Sequence, residues 1–111
     1  MPRVLLIENE PLVARSLLRL AEASASEVDW APDPATAYDL AAQAPYDVVI
    51  SDFDLGEEES TGVEVVERLR IDLRDSQFVV MSGMPRQVPD WCDFVDKLDT
   101  DAFRAAVSPR G

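Results

Sequence analysis

The chain has 111 residues, 47% of them hydrophobic, with 22 acidic and 10 basic side chains, a lone cysteine and no histidine; this suits one folded domain over residues 1–111 and not a disordered chain. Its formal net charge of −12 repels phosphate backbones and anionic lipid, which argues against nucleic acid and membrane partners, and favours a cation beside the densest acids. Lack of histidine removes the commonest general base and metal ligand, and Cys92 alone allows neither an internal disulfide nor a thiolate zinc site and suits a reducing cytoplasm.

The first apolar run, Val4–Ile7, is too short for a signal peptide or a membrane span. It lacks polar alternation and predicts a buried parallel strand. Pro11 opens a helix over PLVARSLLRLAEASA, with Asn9 or Glu10 as cap and Val13, Leu17, Leu20 and Ala21 on one face; Ser24–Ser26 breaks it. EVDWA, residues 27 to 31, alternates and predicts a short edge strand. A Pro–Asp–Pro turn starts a second helix, with Ala37, Leu40, Ala41 and Ala44 on one face and Pro45 ending it. Val48–Ser51 predicts a third strand, apolar without alternation, that runs straight into Asp52. Gly62 precedes a third helix marked by Val66, Leu69 and Leu73. FVVMS, residues 78 to 82, predicts a fourth buried strand, and DFVDK, residues 93 to 97, a fifth. TDAFRAAV, residues 100 to 107, predicts a closing helix with Thr100 as N-cap.

Strands that alternate with helices predict a parallel sheet covered on both faces, with the working site outside the carboxyl ends of the strands. Those ends carry Glu8-Asn9-Glu10, Asp52, Ser82-Gly83 and Lys97. Crowded carboxylates repel, and a divalent cation relieves that repulsion; hard oxygen ligands suit Mg²⁺. A carboxylate can also be a nucleophile that forms an aspartyl phosphate, with an ammonium and a hydroxyl holding the phosphoryl oxygens. Together these residue types describe phosphoryl transfer to Asp52.

At this point the sequence resembles the receiver domain of two-component response regulators, over essentially its whole length. The family's acidic pair matches Glu8 and Asn9 in LLIENEP, its phosphoacceptor Asp52 in DVVISDFDL, its switch hydroxyl Ser82 in FVVMSG, and its lysine Lys97. Phe94 matches the family's rotating switch aromatic, and Asp54 the residue whose backbone carbonyl meets Mg²⁺. The resemblance implies a flavodoxin-like, doubly wound α/β fold with strand order 2-1-3-4-5. It also implies a phosphorylation-controlled signalling module whose metal ligands are Glu8, Asn9, Asp52 and Asp54. A sensor histidine kinase or histidine phosphotransfer protein would be the donor, and a downstream protein the target. Such a chain is no enzyme beyond self-phosphorylation and self-dephosphorylation, and with no residues left for an output domain it would act through that target.

Three positions depart from the family. Asn9 replaces an acid, so Mg²⁺ binding is expected to weaken, with the Asp54 side chain in a place to compensate. Leu98 follows Lys97 where the family typically has a proline, which opens the way to a trans bond. Between Ser82 and Phe94 lie only GMPRQVPDWCD, with Pro85 and Pro89, so the fourth crossover is expected to be a loop or a single turn pinned by Val88 and Trp91. Output through the usual face would then be cut down.

Two other readings compete. One is a degenerate receiver that binds partners without phosphorylation, for which Asn9 speaks. The other is a haloacid-dehalogenase-like phosphatase, because Asp52-Phe53-Asp54 resembles that family's paired aspartates; against it, a full β-α-β-α unit precedes the motif. Duller roles are weighed too. Glu10 suits the helix dipole, Glu57–Glu59 a solvated loop, Phe94 the core as evenly as a switch, and Cys92 a small filler.

Overall fold

Unbroken apolar runs become the inner strands of one parallel sheet, and the reason is two-sided burial. The structure is a computed structural model and describes residues 2–24, 27–56 and 60–108. In β1 (Arg3–Ile7), Val4 and Leu6 enter one core while Leu5 and Ile7 enter the other. β3 (Val48–Asp52) and β4 (Gln77–Ser82) divide in the same way, as strands covered on both faces must. β2 (Glu27–Ala31) and β5 (Cys92–Asp96) are the outer strands, and the order is β2-β1-β3-β4-β5 with every pairing parallel. This is the flavodoxin-like, doubly wound order.

Helices α1 (Pro11–Ala23) and α4 (Thr100–Ala106) cover one face through Leu17, Ala21 and Phe103, joined by Val107. Helices α2 (Pro34–Gln43) and α3 (Gly62–Asp72) cover the other through Ala37, Ala41, Val65, Val66 and Leu69. Local chemistry sets their starts. Pro11 stands in the first turn of α1 behind Glu10, whose side chain makes no cap bond. Asp33 caps α2 by accepting from Thr36 N at 2.7 Å. Thr61 and Glu64 form a reciprocal capping box on α3. The cap of α4 is Asp99, not Thr100: its carboxylate accepts from Ala102 N at 3.0 Å, which moves the helix start one residue earlier than the hydroxyl suggested. The buried stripe of α1 runs through Ala14, Leu17 and Ala21, with Val13 and Leu20 packed against the same core.

Between β4 and β5 there is no helix. Residues 83–91 form a loop that closes on one turn, with Cys92 N donating to Pro89 O at 3.0 Å. Val88 and Trp91 pack against the α2/α3 core, and Trp91 meets Phe78 edge-on at 5.8 Å between ring centroids. The Arg70 guanidinium lies 4.1 Å above the Trp91 ring. One indole thus covers sheet that a helix would otherwise shield. The Lys97–Leu98 bond is trans. Glu57–Glu59 and Ala25–Ser26 lie outside the described residues, and no helix among the described residues is long and apolar enough to cross a membrane.

Cys92 opens β5 and is buried. Burial, then the nearby Asp93 carboxylate, pushes its thiol up to about 11. At pH 8 its thiolate is then about a thousandth of the population, against roughly a quarter for an unperturbed cysteine. The native protein is expected to react with an aromatic disulfide reagent roughly a hundredfold more slowly than the urea-unfolded chain. Equal rates would show that the thiol is not held in this environment.

Candidate functional site

Four strand ends supply the side chains. Glu8 follows β1, held by Glu8 N donating to Ala31 O at 3.1 Å and by the Trp30 indole donating to Glu8 O at 2.8 Å. Asp52 closes β3, and Phe53 N donates to Met81 O at 2.8 Å, which ties the chain beyond it to β4. Ser82 closes β4, and its carbonyl accepts from Lys97 N at 2.9 Å, which fixes where the lysine leaves β5.

Lys97 joins the two acids. Its ammonium stands 2.6 Å from Glu8 Oε1 and donates to Asp52 Oδ2 at 3.0 Å. Glu8 is fully buried and Asp52 is 5% exposed. Glu8 Oε1 is buried, and the Lys97 ammonium is the positive charge that faces it. Burial raises the Glu8 pKa, and Asp52 adds to the rise while Lys97 opposes it. Burial also works against the Lys97 ammonium, but the two carboxylates outweigh it and its pKa is raised. The lysine therefore stays charged through neutral pH.

Asn9 stands beside this group in an unexpected way. With its amide oriented to suit its neighbours, its nitrogen donates to Glu8 Oε2 at 3.1 Å and to Asp54 O at 3.3 Å. Glu8 Oε2 also accepts from Glu10 N at 3.3 Å. The Asp54 carboxylate is 71% exposed and pairs with Arg86 Nη2 at 3.5 Å. Ser82 Oγ accepts from Met84 N at 3.3 Å. Phe94 is half-buried and lies opposite Val80 in the β4–β5 ladder, outside both core clusters. Glu8, Asp52 and Lys97 are thus brought together. Asn9 and the Asp54 carbonyl adjoin them, and the Asp54 carboxylate and Phe94 do not.

Two site-shaping residues escaped the sequence reading. Gly62, in the first turn of α3, donates its N–H to Phe53 O at 2.8 Å, and a Cβ on it would fall 2.2 Å from Asp52 O. Arg86, in the loop after β4, lies 4.3 Å above the Phe53 ring. The sequence holds a weak signal for the first, a glycine at a helix start, and none for the second.

The oxygen donors are of the kind a hard divalent cation takes: two buried carboxylates and a nearby backbone carbonyl. Among the described residues no three carboxylate or thiol side chains converge, so the remaining ligands of such a cation would be water or amide oxygen. The group can neutralise and hold a developing anion on Asp52.

Comparison with known proteins agrees with the fold. The chain has a fold similar to that of TrrA from Thermotoga maritima, solved with Mg²⁺ and beryllofluoride: TM-score 0.83, 22% identity, 95% of each chain covered. It is also similar to a response regulator from Burkholderia pseudomallei, solved with a phosphorylated aspartic acid, a calcium ion and citrate: TM-score 0.80, 18% identity, 97% of this chain and 67% of that one. A third similar structure is the receiver domain of the hybrid histidine kinase CckA, with TM-score 0.79, 24% identity and 93% of each chain covered. No curated protein matches by sequence. The family model described as the response regulator receiver domain matches residues 4–98, which takes in every strand end described above. With its sheet order, its buried acids and its lysine all in that span, the chain belongs to the response regulator receiver domain family of two-component signalling.

Proposed function

We propose that this chain is a phosphorylation-controlled signalling module that takes a phosphoryl group onto Asp52. The observation that carries the proposal is the Lys97 ammonium shared by two buried carboxylates at the ends of separate strands. A lone structural ion pair needs one acid; a second buried acid beside it is costly unless cationic charge is available.

In this reading an Asp52 Oδ attacks the phosphorus of a phosphohistidine on a sensor histidine kinase or histidine phosphotransfer protein. A P–O bond forms as the P–N bond breaks, and the imidazole nitrogen keeps the electron pair and takes a proton from solvent. Lys97 already faces Asp52 and offers its charge to the phosphoryl oxygens. The Ser82 hydroxyl, now accepting from Met84 N, is free to donate its own proton to one of them. Glu8, Asp52 and the Asp54 carbonyl would hold Mg²⁺, which supplies charge neutralisation when bound. The phosphorylated state then biases the conformation that a downstream protein reads. The module would act in the cytoplasm, without nucleic acid, and turns over no substrate beyond its own aspartyl phosphate.

One observation favours the degenerate alternative. Asn9 puts a neutral amide beside Glu8, where an acid would add negative charge for a cation. Incubation with acetyl phosphate and Mg²⁺, followed by intact mass, separates the two. One added phosphoryl group on the wild type and none on Asp52→Asn supports the phosphoacceptor; an unchanged wild-type mass overturns it. The phosphatase reading lacks support, because the Asp54 carboxylate faces Arg86 and solvent.

The same amide sets a metal prediction. Asn9→Asp replaces a donor by an anionic ligand and is expected to tighten Mg²⁺ binding roughly tenfold. Trp30 fluorescence can follow the titration, because its indole bonds Glu8 O. Equal affinities would show that residue 9 does not meet the ion.

A further inference from the structure

The loop that stands in place of a helix sets one cation against the chain that leaves Asp52. Arg86 lies over Phe53 and pairs with Asp54, the two residues that follow Asp52 in the chain. Its Nη2 reaches Asp54 Oδ2 at 3.5 Å, a long contact to a largely exposed acid. Its Nε is buried and has no acceptor. A buried donor without a partner is unfavourable, and a guanidinium presents its donors as a fork matched to phosphoryl oxygens. A surface ion pair such as Arg86–Asp54 is weak and easily exchanged. Phosphorylation would turn the single charge of the Asp52 carboxylate into a phosphoryl group of about two negative charges, with three acceptor oxygens.

We propose that Arg86 is a phosphoryl-binding residue supplied by the 83–91 loop: once Asp52 is phosphorylated, its guanidinium leaves Asp54 for the phosphoryl oxygens and draws the loop over the acyl phosphate. This rests on the phosphoacceptor reading of Asp52. The consequence is chemical as well as conformational. Hydrolysis requires water to attack phosphorus while the P–O bond to Asp52 breaks, returning the carboxylate and releasing phosphate. A guanidinium and a closed loop obstruct that approach. The same movement alters residues 83–91, which Met84 N also ties to Ser82 Oγ, so the loop reports the state of the site.

The test compares wild type, Arg86→Ala and Arg86→Lys. Each is labelled with acetyl phosphate and Mg²⁺, freed of donor, and followed by intact mass; hydrogen exchange of residues 83–91 is measured with and without beryllofluoride. The phosphorylated lifetime is expected to fall roughly tenfold in Arg86→Ala, the worth of one charged hydrogen bond, and less in Arg86→Lys, which keeps charge but not the fork. Beryllofluoride is expected to protect the loop in wild type and not in Arg86→Ala. A purely structural arginine would lower the melting temperature yet leave lifetime and loop protection at wild-type values, and that result overturns the proposal. A wild type that takes no label overturns the phosphoacceptor reading and this inference with it.

Discussion

Replacing Lys97 by methionine is expected to destabilise the protein by about 3 kcal/mol at neutral pH, because it strands two buried carboxylates. Breaking a buried pair costs roughly 3–5 kcal/mol, and the partial exposure of Lys97, 20% for its side chain, sets the value at the low end. The pH dependence identifies the cause. Glu8 has a raised pKa in the folded protein, chiefly from burial. A raised pKa contributes stability that is full below the unfolded value of 4.5 and is lost as pH rises through the folded value. Without Lys97 that pKa rises further, so the deficit against wild type should be largest at neutral pH and shrink on acidification. Adding Asp52→Asn to the variant should recover much of the loss, because one buried charge is removed. Urea unfolding of the three proteins at pH 7 and pH 5 measures this. A Lys97→Met protein as stable as wild type at pH 7 would mean that the acids are not desolvated together.

Gly62→Ala is expected to cost about 3 kcal/mol and to slow phosphorylation of Asp52, although alanine is the better helix former by about 1 kcal/mol. The added Cβ would lie 2.2 Å from Asp52 O, 2.9 Å from Asp52 C and 3.1 Å from Phe53 Cα. All three are backbone atoms, so no side chain can swing aside to make room. Either α3 backs away from the sheet, breaking the bond from Gly62 N to Phe53 O, or the chain after Asp52 is displaced. Both move the nucleophile, so a stability measurement and the acetyl phosphate labelling rate should fall together. A variant that gains stability, as propensity alone requires, would show that the close approach does not exist.

Much of the fold can be read from the chain because strand and helix signals are local. Val4–Ile7 and Val48–Ser51 lack alternation, and that alone places them inside a sheet with two covered faces. Pro85 and Pro89 exclude a helix in a connection already too short to hold one. The positions of Glu8, Asp52 and Lys97 follow from the same logic, since parallel strands deliver their ends to one rim. Unreadable features depend on side-chain direction or on distant backbone. Asp54 turns to Arg86, an attraction set by a loop thirty residues on. The Gly62 approach exists only once α3 has docked. Thr100 yielded to Asp99 because either residue can cap, and only the observed backbone distinguishes them.

The outer positions of β2 and β5 carry a last consequence. Among the described residues each has a strand neighbour on one side only, and a sheet edge is where a stray strand could add itself. Each also bears exposed acid, Glu27 on one and Asp96 on the other. A second molecule approaching rim to rim would bring like charge against them. The acidity that gathers around Asp52 thus has a counterpart at the borders of the sheet, where it guards against runaway stacking of copies at the high concentrations a crowded cell imposes.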